Sequence, residues 1–284
     1  MIQYEYTQTE GEIMNLLFAI DDNVVDQLLT TVYSIKMNTP NTPLAVYVIQ
    51  DTRLLQTDKI TNFCQKLNIE YHPVMIDKSL FKDAPVTDRY PTTIYYRLLA
   101  HKYLPTNIDR ILYLDIDILV INDLLPLYNL DMGDNLYAAA NHAVTTTDLT
   151  DSFNKIRLGN SEAESYYNSG VMLMNLPLIR EQVKADDIFT YINENKNTLL
   201  LPDQDVLNGL YGHQFKRIPD EIYNYDARMS VVYQTWSGGK WNLDWVIKHS
   251  VILHFCGRDK PWKSEYRGRY SGLYKHYSHL AQLV

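Results

Sequence analysis

Asp115 and Asp117 stand two residues apart inside Ile-Leu-Tyr-Leu-Asp-Ile-Asp-Ile-Leu-Val (111–120), a run otherwise made of aliphatic residues and one tyrosine. Burying an unpaired carboxylate is costly, so such a group finds a cation or surrenders its charge. Two acids this close repel each other unless a cation sits between or beside them. A hard divalent ion that bridges protein carboxylates to a substrate phosphate meets that need. The pair also fits two plainer roles, capping a turn or pairing with basic side chains.

Read as a strand, the segment places both acids on one face, with Ile111, Tyr113 and Leu119, because side chains alternate across a strand. The other face, Leu112, Leu114, Ile116, Ile118 and Val120, is wholly apolar and suits packing under helices. The acids come late in the strand, and in open parallel sheets the carboxyl end borders the ligand crevice. Phosphatases and phosphotransferases of the haloacid dehalogenase type also end a strand in Asp-x-Asp. Their motif continues with Thr or Val two residues on and opens its domain. Here Leu119 occupies that position, deep in the chain, which disfavours this rival.

The elements that must position the acids are legible from hydrophobic periodicity. Residues 14–20, 44–50 and 69–76 read as strands, the last weakened by Pro73. Residues 24–37, 53–67 and 92–104 read as helices, and the acidic run follows as a strand. Residues 135–141 and 171–176 read as further strands, 182–195 and 203–211 as helices. Alternating strands and helices predict an α/β fold with a mainly parallel sheet flanked by helices. A looser, helical C-terminal segment closes the chain, and no internal repeat or linker interrupts it.

Composition narrows the function. The chain has 284 residues, 46% hydrophobic and 21% charged, with a formal net charge of −8. That acidity argues against general binding to a nucleic-acid backbone, which needs basic surface. An anionic substrate would need local Lys, Arg or a metal. The only cysteines, Cys64 and Cys256, form neither a disulfide framework nor a zinc motif and point to a reducing, cytoplasmic compartment. No apolar run is long enough to span a membrane, and residues 1–13 lack the make-up of a signal peptide. They are expected to form an N-terminal tail.

Four other segments join the acidic strand in a recognisable order. They are Phe-Ala-Ile-Asp-Asp-Asn (18–23), Asn-Ser-Gly-Val-Met-Leu-Met-Asn-Leu (168–176), Leu-Pro-Asp-Gln-Asp-Val-Leu-Asn (201–208), and His-Phe-Cys-Gly-Arg-Asp-Lys-Pro-Trp (254–262). Together these resemble glycosyltransferase family 8, which includes glycogenins and bacterial galactosyl- and glucosyltransferases. The resemblance runs from about Met14 to Trp262. It implies a GT-A-type, Rossmann-like catalytic domain over 14–262, followed by a C-terminal helical tail over 263–284. It also implies a UDP-sugar donor, UDP-glucose or UDP-galactose, a divalent ion (Mn2+, with Mg2+ as the alternative) and retention of anomeric configuration.

By the same resemblance, Asp115, Asp117 and His254 would hold the ion, with Ile116 between the acids in the donor site. Mixed carboxylate and imidazole ligands suit Mn2+. Lys260 and Gly257 would meet the diphosphate, Lys260 stabilising charge on the departing UDP. Ala19, Asp21 and Asn23 would contact uracil and ribose, and Arg97 the donor phosphate and sugar. Asn168, Asp203 and Gln204 would surround the transferred sugar. Each residue also has a plainer reading: a structural histidine at 254, a solvated lysine at 260, turn chemistry at 21–23, a buried ion pair at Arg97, and a helix N-cap at Asp203.

Gln204 is an amide and a poor nucleophile, which favours a front-face route over double displacement. The acceptor is expected to be a glycan, lipid- or protein-linked, covered by polar loops at 79–93 and 142–166, with His142 where galactosyltransferase-like members carry an acid. The basic, tyrosine-rich tail (266–280) suits peripheral contact with the inner membrane face or packing on the domain. A non-catalytic sugar-nucleotide-binding protein remains the other reading.

Overall fold

The computed structural model describes residues 13–81, 84, 92–141, 154, 157–158, 160 and 164–284. The first 12 residues and most of the loops at 79–93 and 142–166, with His142, lie outside the described residues.

Short, mostly apolar runs become the strands of the large sheet. β1 (Met14–Ala19), β2 (Leu44–Gln50), β3 (Ile69–Met75) and β4 (Arg110–Leu114) lie parallel, in the order β3-β2-β1-β4. After β5 (Ile118–Val120) and β6 (Tyr137–Ala139), strand β7 (Val171–Asn175) inserts antiparallel between β4 and β6, and β8 (Phe215–Arg217) closes the seven-stranded sheet beside β6. Pro73 is tolerated because β3 is the outermost strand, where a missing N–H costs the ladder least.

Alternation along the central strands builds two cores. Leu16, Phe18, Leu112 and Leu114 pack with Leu28, Val32 and Ile35 of α1 (Val25–Asn38), while Leu17, Ile111 and Tyr113 pack on the opposite face. That second core includes Tyr95, Leu98 and Leu99 of a 3-10 helix over Thr92–Lys102, and Val206 and Leu207 of the helix over Pro202–Tyr211. The longer helices described after α1 are α2 (Thr57–Lys66), α3 (Leu176–Gln182), α4 (Ala185–Asn195), α5 (Pro202–Tyr211), α6 (Ser230–Trp236), α7 (Leu243–His249) and α8 (Ser271–Gln282). The sequence periodicity at 92–104 suggests an α-helix, yet the segment winds as 3-10. All seven residues from Tyr95 to His101 are buried, and a long 3-10 run of this kind is unusual.

The acidic run departs from its expected form. It is not one strand. β4 ends at Leu114, Asp115 to Asp117 turn, and β5 continues into a second, three-stranded sheet with β10 (Ile252–His254) and β9 (Tyr225–Asp226). The hydrogen bonds explain the break. Asp115 N–H donates to Gly170 O at 2.8 Å, and beyond it Phe255 N–H donates to Asp117 O at 2.8 Å. The Thr31 hydroxyl of α1 reaches the carbonyls of Ile116 and Ile118 at 3.3 and 3.1 Å. The two acids therefore leave a hinge between sheets rather than one face of a strand.

The second sheet has its own apolar cluster, built on Leu119, Tyr225, Tyr233, Leu253 and Phe255. Helix α8 rests on α1. Its Tyr274 and Ala281 are buried, and Asn38 Nδ2 donates to the Tyr277 hydroxyl at 2.9 Å. Among the described residues no helix is long and apolar enough to cross a membrane.

Candidate active site

The carboxyl ends of β1 and β4 and the entry to antiparallel β7 meet at one edge of the large sheet, where the hinge at 115–117 joins the small sheet. A cavity of about 600 Å3 opens there. Its walls include Ala19 and Asp21 beyond β1, Arg97 of the 3-10 helix, and Asp115, Ile116 and Asp117 of the hinge. They also include Asn168 before β7, Asp203 and Gln204 at the start of α5, and His254, Gly257 and Lys260 from β10 onward. Among the described site residues singled out from sequence, Asn23 alone is not in the wall. It is exposed, and its backbone N–H donates to Asp21 Oδ1 at 2.9 Å, so the turn reading describes its observed contact.

One oxygen of Asp115, one of Asp117 and one ring nitrogen of His254 lie within 4.8 Å of one another. His254 Nε2 is 3.2 Å from Asp117 Oδ1 and 3.9 Å from Asp115 Oδ2. Its other nitrogen, Nδ1, sits 2.7 Å from Asn224 Oδ1. With Nδ1–H donating to that amide, Nε2 is presented to the carboxylates, the arrangement that orients a ligating histidine. Two carboxylates and an imidazole in this cluster fit a borderline divalent ion such as Mn2+. Gly170 makes the close approach feasible. A Cβ there would lie 2.5 Å from His254 Cε1 and 2.6 Å from Asp115 Oδ2.

Electrostatics follow from crowding three acids beside three cations. Burial resists ionisation of Asp117, but His254 and Lys260 overcome it and hold the carboxyl well below the usual range. Burial also disfavours charge on His254, yet Cys256 and Asp117 push its pKa well above the ordinary value. Lys260 Nζ hydrogen-bonds Asp117 and lies 3.1 Å from Phe255 O, so the solvated-lysine reading fails. Arg97 is buried between Asp115 and Asp203, at 3.0 and 3.2 Å, and stacks on Tyr113 at 4.1 Å. The buried ion-pair reading of Arg97 is thus geometrically correct, and the pair forms part of the cavity wall. Burial raises the Asp203 pKa, with Arg97 opposing and Asp115 reinforcing.

A hydrogen-bonded chain leads from the His254 end to the α5 end. Asn224 Nδ2 donates to Asn168 Oδ1 at 2.9 Å, and Asn168 Nδ2 donates to Gln204 Oε1 at 3.2 Å. Ser169 N–H donates to the same Gln204 oxygen at 3.1 Å. Asp203 is not the N-cap of α5. Leu201 holds that position, Pro202 starts the helix, and Asp203 accepts from Ser169 Oγ at 3.2 Å. An acid in the first turn is favoured by the helix dipole. Asp205, one turn in, accepts from the N–H groups of Leu200 and Leu201 at 2.6 and 3.1 Å and pairs with Arg157.

Sequence reasoning missed Asn224, which orients His254, and the Asp226–Arg228 pair. Arg228 donates from Nε and Nη2 to both Asp226 oxygens, at 3.0 and 2.7 Å, and stands in the cavity wall beside Gly257. Gly257 has φ +88°, and a Cβ there would lie 2.5 Å from Arg228 Nη1. The stretch Asn224-Tyr225-Asp226 carries no local signal for this role, because the strand that places it is two residues long. Tyr166, also in the wall, donates its hydroxyl to Asp205 Oδ1 at 2.6 Å.

Comparison with known proteins places this geometry. A family model described as Glycosyl transferase family 8 matches residues 15–266. A lipopolysaccharide 1,2-glucosyltransferase of Escherichia coli is 30% identical over 260 residues, 89% of this chain and 74% of that protein. General stress protein A of Bacillus subtilis (strain 168) is 25% identical over 275 residues, 94% of each. A lipopolysaccharide 1,3-galactosyltransferase of Salmonella typhimurium is 22% identical over 277 residues, 93% of this chain and 77% of that protein. The crystal structure of the galactosyltransferase LgtC with donor and acceptor sugar analogs aligns with a TM-score of 0.78. It is 22% identical and covers 94% of this chain and 96% of LgtC. The fold is of the GT-A type that the sequence motifs imply.

Proposed function

The chain belongs to glycosyltransferase family 8, and on that footing we propose that it moves glucose or galactose from a UDP-sugar to a cell-surface glycan, with retention of configuration. The observation that carries the donor reading is the cluster of Asp115, Asp117 and His254 beside Lys260, at the ligand edge of the sheet. A diphosphate in a protein of net charge −8 needs local positive charge, which Lys260 and a cation held by the three ligands would supply. Asp115, Asp117 and His254 would hold Mn2+ (or Mg2+), which would supply Lewis-acid neutralisation of charge on the diphosphate.

The other residues act through their own contacts. Lys260 and Arg228 share the cavity wall with Gly257 and can offer donors to the leaving diphosphate. Ala19, Ile116 and Asp21 border the place for the nucleoside. Arg97 ties Asp115 to Asp203 and so fixes the wall around the sugar. Gln204 Oε1 is occupied by two donors, which suits a positioning role better than attack on carbon. A front-face departure, in which the phosphate assists deprotonation of the incoming hydroxyl, needs no protein nucleophile. The named activities of the relatives support a lipid-linked glycan acceptor.

A calorimetric panel of UDP-sugars, with Mn2+ and with EDTA, tests the donor. Metal-dependent binding and UDP release support transfer. Phosphate release from a phosphomonoester without UDP-sugar turnover would support the phosphotransferase alternative instead. Tight binding without turnover, with the lipid-linked acceptor supplied, would mark a non-catalytic sugar-nucleotide-binding protein.

A further inference from the structure

The polar side chains along the cavity wall form a chain of hydrogen bonds whose direction is fixed by the groups at its ends. In a side-chain amide the oxygen accepts and the nitrogen donates, so its orientation follows from what its neighbours can do. A backbone N–H can only donate. Gly170 N lies 3.0 Å from the Asn168 amide, so the atom it meets is Oδ1. Ser169 N lies 3.1 Å from the Gln204 amide, so that atom is Oε1. The Asn168 nitrogen is thereby turned to Gln204 Oε1, at 3.2 Å.

The far end imposes the same direction. Asp205 is fully buried and held by Nη1 and Nη2 of Arg157, each at 2.9 Å, so it is a carboxylate and only accepts. The Tyr166 hydroxyl must donate to it, at 2.6 Å, which leaves the Tyr166 oxygen to accept from the Gln204 amide. Gln204 therefore offers its nitrogen to Tyr166 and its oxygen to Asn168 and Ser169. The backbone at Ser169 and the carboxylate at Asp205 demand the same orientation independently.

Asn224 carries the chain to the candidate ion site. It is fully buried and immediately precedes β9. Asn168 Oδ1 has no proton to give, so the Asn224 atom that meets it at 2.9 Å is Nδ2. Asn224 Oδ1 is then the atom 2.7 Å from His254 Nδ1, and an oxygen there demands a proton on Nδ1. Every bond runs one way, from His254 through Asn224, Asn168, Gln204 and Tyr166 to Asp205. Bonds aligned head to tail polarise and strengthen one another.

We propose that Asn224 is a positioning residue that locks His254 in the Nδ1–H form, and that Asn168 and Gln204 decide which way Asn224 faces. An asparagine free to turn over would offer Nδ2 to His254 and draw the ring proton to Nε2, the nitrogen that faces Asp115 and Asp117. The chain forbids that turn, because it would set two oxygens face to face at Asn168 and leave both unpaired. The inference rests on the reading of Asp115, Asp117 and His254 as ion ligands and deepens it. Residues that border the place for the sugar also set the state of the ion site, so ion binding and the ordering of Asn168 and Gln204 favour each other.

Mn2+ affinity of the full chain, read from the electron paramagnetic resonance of the free ion, tests this without substrate. Asn224→Leu should weaken it about 10- to 100-fold. Asn168→Ala removes no ion ligand and should still weaken it about fivefold. Unaltered near-ultraviolet circular dichroism verifies folding. Correlation of 1H and 15N in ring-labelled histidine reads the proton directly in the wild type, with His254 identified by its loss in His254→Gln. Nδ1 should carry its proton in the metal-free protein and keep it when Zn2+, a diamagnetic substitute, is added, while the Nε2 resonance moves. A wild-type Nδ1 without a proton, or displacement of that proton by Zn2+, overturns the proposal. So does an Mn2+ affinity of Asn168→Ala within about twofold of wild type. A wild-type protein that binds no Mn2+ while Nδ1 stays protonated would sink the ion reading and leave the amide chain standing.

Discussion

Replacing Gly170 with alanine isolates the geometry of the candidate metal site. The added Cβ would lie 2.5 Å from His254 Cε1, 2.6 Å from Asp115 Oδ2 and 3.1 Å from Asn168 Oδ1. Comfortable carbon contacts begin near 3.5 Å, so the imidazole must retreat by about 1 Å. A ligand set tolerates displacements of only about 0.2 Å. The φ of Gly170 is not in the left-handed region, so the substitution tests space and not backbone strain. Metal-dependent UDP affinity should fall by about 10- to 100-fold, the range seen when the supports of a metal ligand are disturbed. Overpacking of this kind costs about 1–3 kcal/mol, and the fold should survive it. Calorimetric titration of UDP in the presence of Mn2+ reads the loss, and thermal denaturation reads the stability. Gly272→Ala is the control, since a Cβ there meets nothing within 4 Å. If Gly170→Ala binds UDP and Mn2+ within about twofold of wild type, the three residues do not form a metal site with this geometry.

Three further outcomes are expected. Gln204→Ala should lower turnover far less than Asp117→Ala, and a sugar trapped covalently on Gln204 or a neighbour would refute the front-face route. Asp205→Ala removes the partner of Arg157 from a fully buried position and should cost about 3–5 kcal/mol in urea unfolding; a loss below about 1 kcal/mol would mean the pair is not a structural tie. Burial, with Lys102 and Arg180 adding to it, pushes the His101 pKa down from 6.5 to about 4. The unfolded chain then takes up the proton first, so this group makes stability fall as pH drops below 6.5, by about 2 kcal/mol between pH 7 and 5, and the fall ends near pH 4. His101→Leu should flatten that part of the stability profile, and an unchanged profile would refute the assignment.

Much of the scaffold was legible because its signals are local. Residues 44–50 form β2 over the expected span, and the helix expected at 24–37 is observed as Val25–Asn38. The same logic misread 111–120 for a definite reason. A strand that leaves one buried sheet and enters another stays apolar on both sides of the turn, so alternation continues across a break that hydrogen bonding imposes. The 3-10 winding of Thr92–Lys102 was hidden likewise, since every residue in its middle is buried and no single face carries a period.

By itself the sequence determined which chemistry was available: paired acids, one histidine and one lysine in the order of a recognisable family, and apolar runs that could only be inner strands. Only the tertiary structure decided that the acids leave a hinge, that Asn224 orients His254, that Asp203 pairs with Arg97 instead of capping its helix, and that Arg228 stands beside Gly257. Local propensity acts over a few residues, whereas these contacts join positions far apart in the chain through strands two or three residues long. Strands that short have no preference of their own. They form where packing of the two sheets brings them together, and the site forms with them.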